Sequence, residues 1–486
     1  MEYGIWIESL EDIAYLSMKG ALTVPDASLQ SALVKAFVEY VYPYMPLLDL
    51  YDFLKTINYR CGRSSQVSLF LYHAVLFSAA AFVDVDVLHC AGFASRKQAR
   101  EVLFNRTRLI YDFDYESDSL TLVQGLLLMT WQGETNDGMK DMWHWLGIAI
   151  AQAKSIGLHT DPTSMDLPHR MRSLRKRIWW CCFTRDHLIA LRTRQPARIE
   201  VEGLQMPMLQ ESDFDSKPPL GEELVGIDRF ILLQDVFMQK QLASLCIHMV
   251  QLCIIIDHVL ARRYFVNLGD NKQWEDTVHH SLKLLPKKMV DNPHSVVLLD
   301  DQLLDWANSL TPSCKDRPMT ELDSEKGWKT VALHRTMLHM LFYTTVMTLH
   351  RPQLLSVPQV CASNSCLPVL ELSWRRVREA TMGATHLVTE LHQMDLDGYL
   401  PLTGVTVVTL LMATHIFEME RPARMFYDYA RDSFQECSQI LEKLRETYVA
   451  ADIAAVLLGA ASRKLPVGID SLSSLKAPTQ ASSDLI

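Results

Sequence analysis

Apolar residues along this chain recur every third or fourth position far more often than every second. The stretches "LTLVQGLLLMTWQGE" (120–134) and "MKDMWHWLGIAIAQAKSIGL" (139–158) are long, apolar and rich in helix formers, with Gly157 placed to stop the second. The segment 229–265, "RFILLQDVFMQKQLASLCIHMVQLCIIIDHVLARRYF", is hydrophobic almost all round, which predicts a central buried helix or a bent pair. Near the C-terminal end Phe426, Ala430, Phe434, Cys437, Leu441, Leu444 and Tyr448 form one helical stripe. The stripe covers less than three heptads, so it is expected to pack on the body rather than form a coiled-coil seam. No alternating run is long enough for a sheet, and no βαβ rhythm is present. The pattern predicts an all-α chain, a large single helical domain with no significant sheet.

Pro and polar residues gather at 159–173, 200–228, 284–295, 311–326 and 352–373, which are read as loops within one helical body. The expected division is a lead-in at 1–29, the main domain at 30–465 and a Ser-rich disordered tail at 466–486. No repeat of solenoid period occurs. The longest apolar run without a charge, 242–256, falls short of a bilayer span and reads as a buried helix, so no membrane partner is expected.

Composition agrees with a folded protein: 49% of the 486 residues are hydrophobic and 21% charged. The net charge of −10 repels phosphate backbones, so any nucleic-acid contact has to be local. The first residues carry Glu2, Glu8, Glu11 and Asp12 where a secretory signal would carry positive charge. Ten cysteines are scattered without a CxxC pair, the usage of reduced thiols acting as small apolar side chains in a cytosolic or nuclear protein.

One stretch departs from this average. Residues 170–198 hold nine bases against one acid, Asp186, and include the pair Trp179–Trp180, while 199–228 hold eight acids against Lys217. Neighbouring excesses of opposite sign make a poor phosphate-binding face. Met171, Leu174, Ile178, Cys181, Cys182, Arg185 and Leu188 share one helical face, so the apolar members are expected to dock on the body while much of the basic set points outward. The two indoles bring large burial areas and call for hydrogen-bond partners for their N–H groups.

The stretch "RKRIWWCCFTRDHLIALRTRQPARI" resembles the middle homology region of fungal binuclear zinc-cluster transcription factors, most like the cutinase-regulator type. Four further segments resemble that family in its order: "VYPYMPLLDLYDFL" (41–54), "WHWLGIAIAQAKSIGLHTDPT" (143–163), "DFD" (213–215) and "LHRPQLL" (349–355). The resemblance spans roughly residues 30–430. It matches Arg177, Trp179, Trp180, Phe183, Asp186 and Pro196, then Leu349, Arg351 and Pro352, and it implies an architectural role for them. Asp186 is expected to act as an ion-pair hub holding the turn at Pro196. The family's Gly-Arg before that proline is replaced by Arg194 and Gln195.

The resemblance further implies a nuclear regulator of metabolic genes, with secondary-metabolite or lipid and cutin-related genes among the candidates. Its partners would be transcriptional co-regulators, a second chain in a homo- or heterodimer, and a small-molecule effector. Zinc in the family is held by six closely spaced cysteines, and these 486 residues contain no such set. No cofactor is therefore expected on this chain, and DNA would be reached only through a further module or a partner. A rival is a DNA-independent corepressor acting through a full-length relative.

An enzyme is the remote alternative. "DDQLLD" (300–305) imitates the aspartate-rich magnesium motif of helical terpene synthases, but no partner motif follows, so it reads as a solvated acidic helix face. No HExxH, GxSxG, Walker loop or GxGxxG occurs, and no catalytic or metal residue is assigned.

Overall fold

The computed structural model describes residues 10–58, 67–132, 140–214, 230–267, 283–287, 293–325, 327–355, 367–421 and 426–463. The expected disordered tail, 466–486, lies outside the described residues. Seventeen α-helices follow one another among them. The first eight are α1 (Leu10–Met18), α2 (Ala27–Ala36), α3 (Leu50–Asn58), α4 (Leu69–Ala79), α5 (Val85–Cys90), α6 (Arg96–Asp112), α7 (Ser119–Met129) and α8 (Met142–Ser155). Then come α9 (His169–Thr193), α10 (Ile231–Gln234) and α11 (Val236–Arg263). After an antiparallel hairpin of β1 (Tyr264–Asn267) and β2 (Lys283–Pro286) follow α12 (Pro293–Ser309), α13 (Trp328–Leu355), α14 (Leu367–Gln393), α15 (Leu402–Met419), α16 (Tyr427–Arg445) and α17 (Val449–Ser462).

Local chemistry explains many of the boundaries. Side chains of Asp26, Ser68, Ser95, Asp118, Asp141 and Asp235 accept backbone N–H groups at the starts of α2, α4, α6, α7, α8 and α11, satisfying donors the helix leaves orphaned. Gly157 stands just beyond α8 with φ 70°, the left-handed conformation expected of a glycine stop. Gly383 has a different task. A Cβ there would lie 2.5 Å from the Tyr343 ring, so its missing side chain lets α13 and α14 pack closely.

The helices share one contiguous core running from Leu16 to Leu458. Helices α4, α6, α7 and α8 pack together on the N-terminal side, α9, α11 and α13 run through the middle, and α14 to α17 close the far side. Leu16 and Ala21, in the segment read as a lead-in, belong to this core. Segment 242–256 lies within the single helix α11. Helix α11 and α15 are long and apolar enough to cross a bilayer, and 67% of the apolar window of each is buried within the body, as in core helices. The middle of the C-terminal stripe lies on α16, where Ala430, Phe434, Cys437, Leu441 and Leu444 are buried against α15, while Phe426 and Tyr448 flank the helix.

Three expectations are corrected. The hairpin places a small sheet at 264–267 and 283–286, at the start of what was read as a plain loop. Helix α9 already begins at His169, inside the first expected break. Helix α13 passes through Pro352 and ends at Leu355, so the proline does not stop it. Pro352 lacks the N–H that would bond Thr348 O, and the hydroxyl of Tyr264 donates to that carbonyl instead, at 2.9 Å.

The acidic face "DDQLLD" is also corrected in part. Asp301 and Asp305 are exposed on α12, but Asp300 is buried. Its carboxylate meets His350 Nε2 at 3.1 Å and accepts from Arg376 Nε at 3.0 Å. Burial raises its pKa, but the hydrogen bond and charge of His350 and the Arg376 guanidinium outweigh that and hold it below the usual carboxylate range.

Candidate functional site

The strongest concentration of named residues is α9, and its central part is buried on every side. All fourteen residues from Arg177 to Ala190 are buried, so the helix has no outward face along this stretch. That corrects the expected division into a docked apolar face and an outward basic one. Leu174, Ile178, Cys181, Cys182 and Leu188 dock as expected, and Arg185 of the same face is buried with them, whereas Met171, near the helix start, is exposed.

The bases of the stretch are spent internally. Arg170 pairs with Asp49 and, at 2.9 Å, with Asp52. Arg172 Nη1 donates to Thr163 O at 3.1 Å, Arg175 Nη2 to Ile156 O at 2.8 Å, and Lys176 Nζ pairs with Asp213 at 2.5 Å. Arg177 Nη1 donates to the Tyr42 hydroxyl at 3.1 Å. Arg185 donates to the hydroxyl and carbonyl oxygens of Thr130 at 2.8 and 2.7 Å, and burial pulls its pKa down to about 10. The Arg192 guanidinium reaches Met142 Sδ at 3.0 Å, and that of Arg198 covers the Trp143 ring at 3.3 Å. Only Arg194 of the nine is exposed without a side-chain partner among the described residues.

These contacts bring the sequence motifs together. Tyr42 comes from the segment at 41–54, Ile156 and Trp143 from 143–163, and Asp213 from "DFD". The ring of His159, from the same turn as Gly157, lies 5.9 Å from that of Trp179. Trp180 Nε1 donates to Pro207 O at 2.9 Å and its ring meets Phe183 edge-on at 5.2 Å. Trp179 Nε1 has no hydrogen-bond partner among the described residues.

Asp186 reaches the segment just after Pro196 by backbone hydrogen bonds rather than by the expected ion pair. Its Oδ2 accepts the backbone N–H groups of Arg198 and Ile199 at 2.6 and 2.8 Å, and no arginine forms an ion pair with it among the described residues. Burial raises its pKa, and His187 and the two N–H groups oppose that. Arg194 caps α9 at φ 54°, the left-handed conformation that the family's glycine would take without strain. Pro196 follows, half-buried, just before the segment that Asp186 reaches.

Beyond the end of α9 lies a cavity of about 460 Å³, within the roughly 300–1,000 Å³ typical of ligand sites. Its wall is built from Leu191, Arg192 and Arg194 of α9 and its cap, Leu260 of α11, Tyr264 and Leu284 of the hairpin, and Thr344, Thr348, Arg351 and Pro352 of α13. The opposite side comes from α15 and α17. Arg351 and Pro352, named from a motif far along the sequence, therefore stand with the end of the α9 motif around one space, while Leu349 is in the core. Tyr264 and the α15 and α17 residues were not foreseen, because no local pattern marks a side chain that supplies another helix's missing donor.

Several of the described thiols are buried. Burial pushes Cys182, Cys253 and Cys437 up, and Cys246 to about 12, opposite in direction to the thiolates zinc requires.

Comparison with known proteins adds sequence kinship. Residues 34–308 match the family described as the fungal specific transcription factor domain. The chain is 47% identical over 460 residues to cutinase transcription factor 1 beta of Fusarium vanettenii, covering 95% of this chain and 52% of that protein. It is 30% identical over 456 residues to transcription factor cpaR of Aspergillus oryzae, covering 93% of this chain and 74% of that protein. A match to cutinase transcription factor 1 alpha of Fusarium vanettenii, 24% identical, covers 92% of this chain and 44% of that protein. The chain spans about half the length of the first of these relatives. No solved structure matches.

Proposed function

We propose that this chain, which belongs to the fungal specific transcription factor domain family, is the regulatory part of a nuclear regulator of metabolic-gene transcription. The observation that carries this reading is the match over residues 34–308 together with relatives named as transcription factors along nearly the whole chain. The reading assigns the chain no catalysis. The residues named on α9 and α13 are architectural in it: they fix the body that a partner or effector biases, and DNA is reached through a further module or a partner protein. The internal pairing of the bases of 170–198 supports that division, since bases held by carboxylates and carbonyls release few counterions from phosphate.

The test is to join the chain to an unrelated DNA-binding module and measure a reporter that carries that module's operator in a filamentous fungus. The expected result is a reporter level raised or lowered severalfold relative to the module alone. A reporter that follows the module alone would overturn the regulatory reading. The purified chain by itself is expected to bind duplex DNA weakly and without sequence preference. Promoter occupancy by the unfused chain that disappears when a full-length relative is deleted would instead establish the corepressor role.

A further inference from the structure

The cavity beyond α9 has a composition that its structural role does not explain. Among the described residues its lining includes three arginines, Arg192, Arg194 and Arg351, and no Asp or Glu. Neither Arg194 nor Arg351 has a carboxylate within 4.0 Å among the described residues. Burial lowers the Arg351 pKa first, and the charge of Arg194 lowers it further. Two like charges gathered at a half-buried space without a counter-charge are unfavourable until an anion arrives. The threonines of the same wall are mostly closed on their own helices, Thr344, Thr348 and Thr409 each bonding a carbonyl four residues back. Thr406 is different. Its Oγ1 is buried and has no hydrogen-bond partner among the described residues.

The remainder of the wall is aliphatic. Leu260, Val405, Leu410, Ala413 and Ala454 face the space, with Tyr264 the one aromatic side chain. At its margin Ile453 and Leu457 of α17 also line it, yet are 44% and 65% exposed. Apolar side chains left in water beside a cavity mark an entrance that an apolar body would cover. The scarcity of aromatic rings disfavours a stacked base or a flat ring system, and the aliphatic wall suits a flexible hydrocarbon. A guanidinium pair at one side and a hydrocarbon wall at the other suit a molecule with the same polarity.

We propose that this cavity binds an alkyl carboxylate, its head group on Arg194 and Arg351 and its chain along α15 and α17. The site spans the end of α9, α13, α15 and α17, so its occupant would touch helices from the middle and far side of the body at once. The inference rests on the cavity and does not need the transcriptional reading.

Isothermal titration and thermal melting of the purified full chain test it, with dodecanoate, dodecanol, dodecyl phosphate and acetate used below their micelle concentrations. Dodecanoate is expected to bind saturably, once per chain, and to raise the melting temperature. Dodecanol, lacking the charge, and acetate, lacking the chain, are each expected to bind at least about tenfold more weakly, the order of one lost charge-assisted bond. Arg351→Met is expected to weaken dodecanoate about tenfold or more. If that variant fails to fold, Arg194→Ala at an exposed position and Ala413→Phe, which fills the chain-binding side, carry the same expectation. Absence of saturable dodecanoate binding overturns the proposal, as does equal binding by dodecanol or affinity unchanged in both Arg194→Ala and Ala413→Phe. Binding of dodecyl phosphate with none of dodecanoate would make the head group a phosphomonoester and end the carboxylate assignment. A chain that binds dodecanoate but leaves the tethered reporter silent would retain this site and lose only the regulatory role.

Discussion

The Tyr264 hydroxyl donates to the carbonyl oxygen of Thr348 at 2.9 Å, on the turn of α13 where Pro352 supplies no N–H. The two positions are 84 residues apart, and the bond lets a helix keep a proline in its last two turns. It also fixes β1 against α13 beside the cavity.

Removing the hydroxyl tests whether the bond compensates for the proline. Tyr264→Phe is expected to destabilise the fold by about 1 kcal/mol, the net worth of a hydrogen bond whose carbonyl is left wanting. In a Pro352→Ala background the restored N–H can bond Thr348 O, so the same change should cost much less. A double-mutant cycle in urea measures the coupling. Equal costs in both backgrounds would show that Tyr264 contributes by packing alone.

Asp186 allows a sharper comparison, because two substitutions separate charge from acceptance. Asp186→Ala leaves the N–H groups of Arg198 and Ile199 without an acceptor in a buried turn and is expected to cost about 2–5 kcal/mol. Asp186→Asn keeps an oxygen that can accept both and should cost clearly less. Urea midpoints of the two variants check the order, and an equal loss for Asn and Ala would mean that the charge, not the acceptor, holds the turn.

The helical class, the buried run at 242–256 and the stripe on α16 were legible because each follows from local periodicity. The α9 segment was legible as a helix, and Asp186 as a residue close to the turn at Pro196. What sequence could not supply was the partner of each group. Basic side chains off the docking face of an apolar helix point outward by pattern, yet Arg177 is inside because Tyr42, distant in sequence, accepts its hydrogen bond. Asp300 read as solvated for the same reason, since His350 and Arg376 lie on later helices. The cavity was not legible: its wall is gathered from seven elements, and only α9 and α13 carry a motif that marks them.

Three buried histidines give the fold a directional pH dependence. Burial holds His73, His334 and His415 near 4, well below the ordinary value of 6.5. Between pH 6.5 and 4 each would be protonated in the unfolded chain and neutral in the fold, so the unfolded state binds more protons and stability falls as pH is lowered. The slope approaches about 1.4 kcal/mol per pH unit for each histidine across that window and vanishes above and below it. His334 isolates the effect: it is 7% exposed, its Nε2 has no hydrogen-bond partner among the described residues, and its ring centre lies 5.7 Å from that of Tyr44. His334→Met replaces the ring with an apolar side chain that cannot titrate, so its unfolding free energy should decline less steeply than that of the wild type from pH 6.5 to 5. Urea unfolding at half-unit steps of pH provides the comparison. Parallel declines would show that His334 is protonated equally in both states, and would move the acid sensitivity onto the other two histidines and the carboxylates.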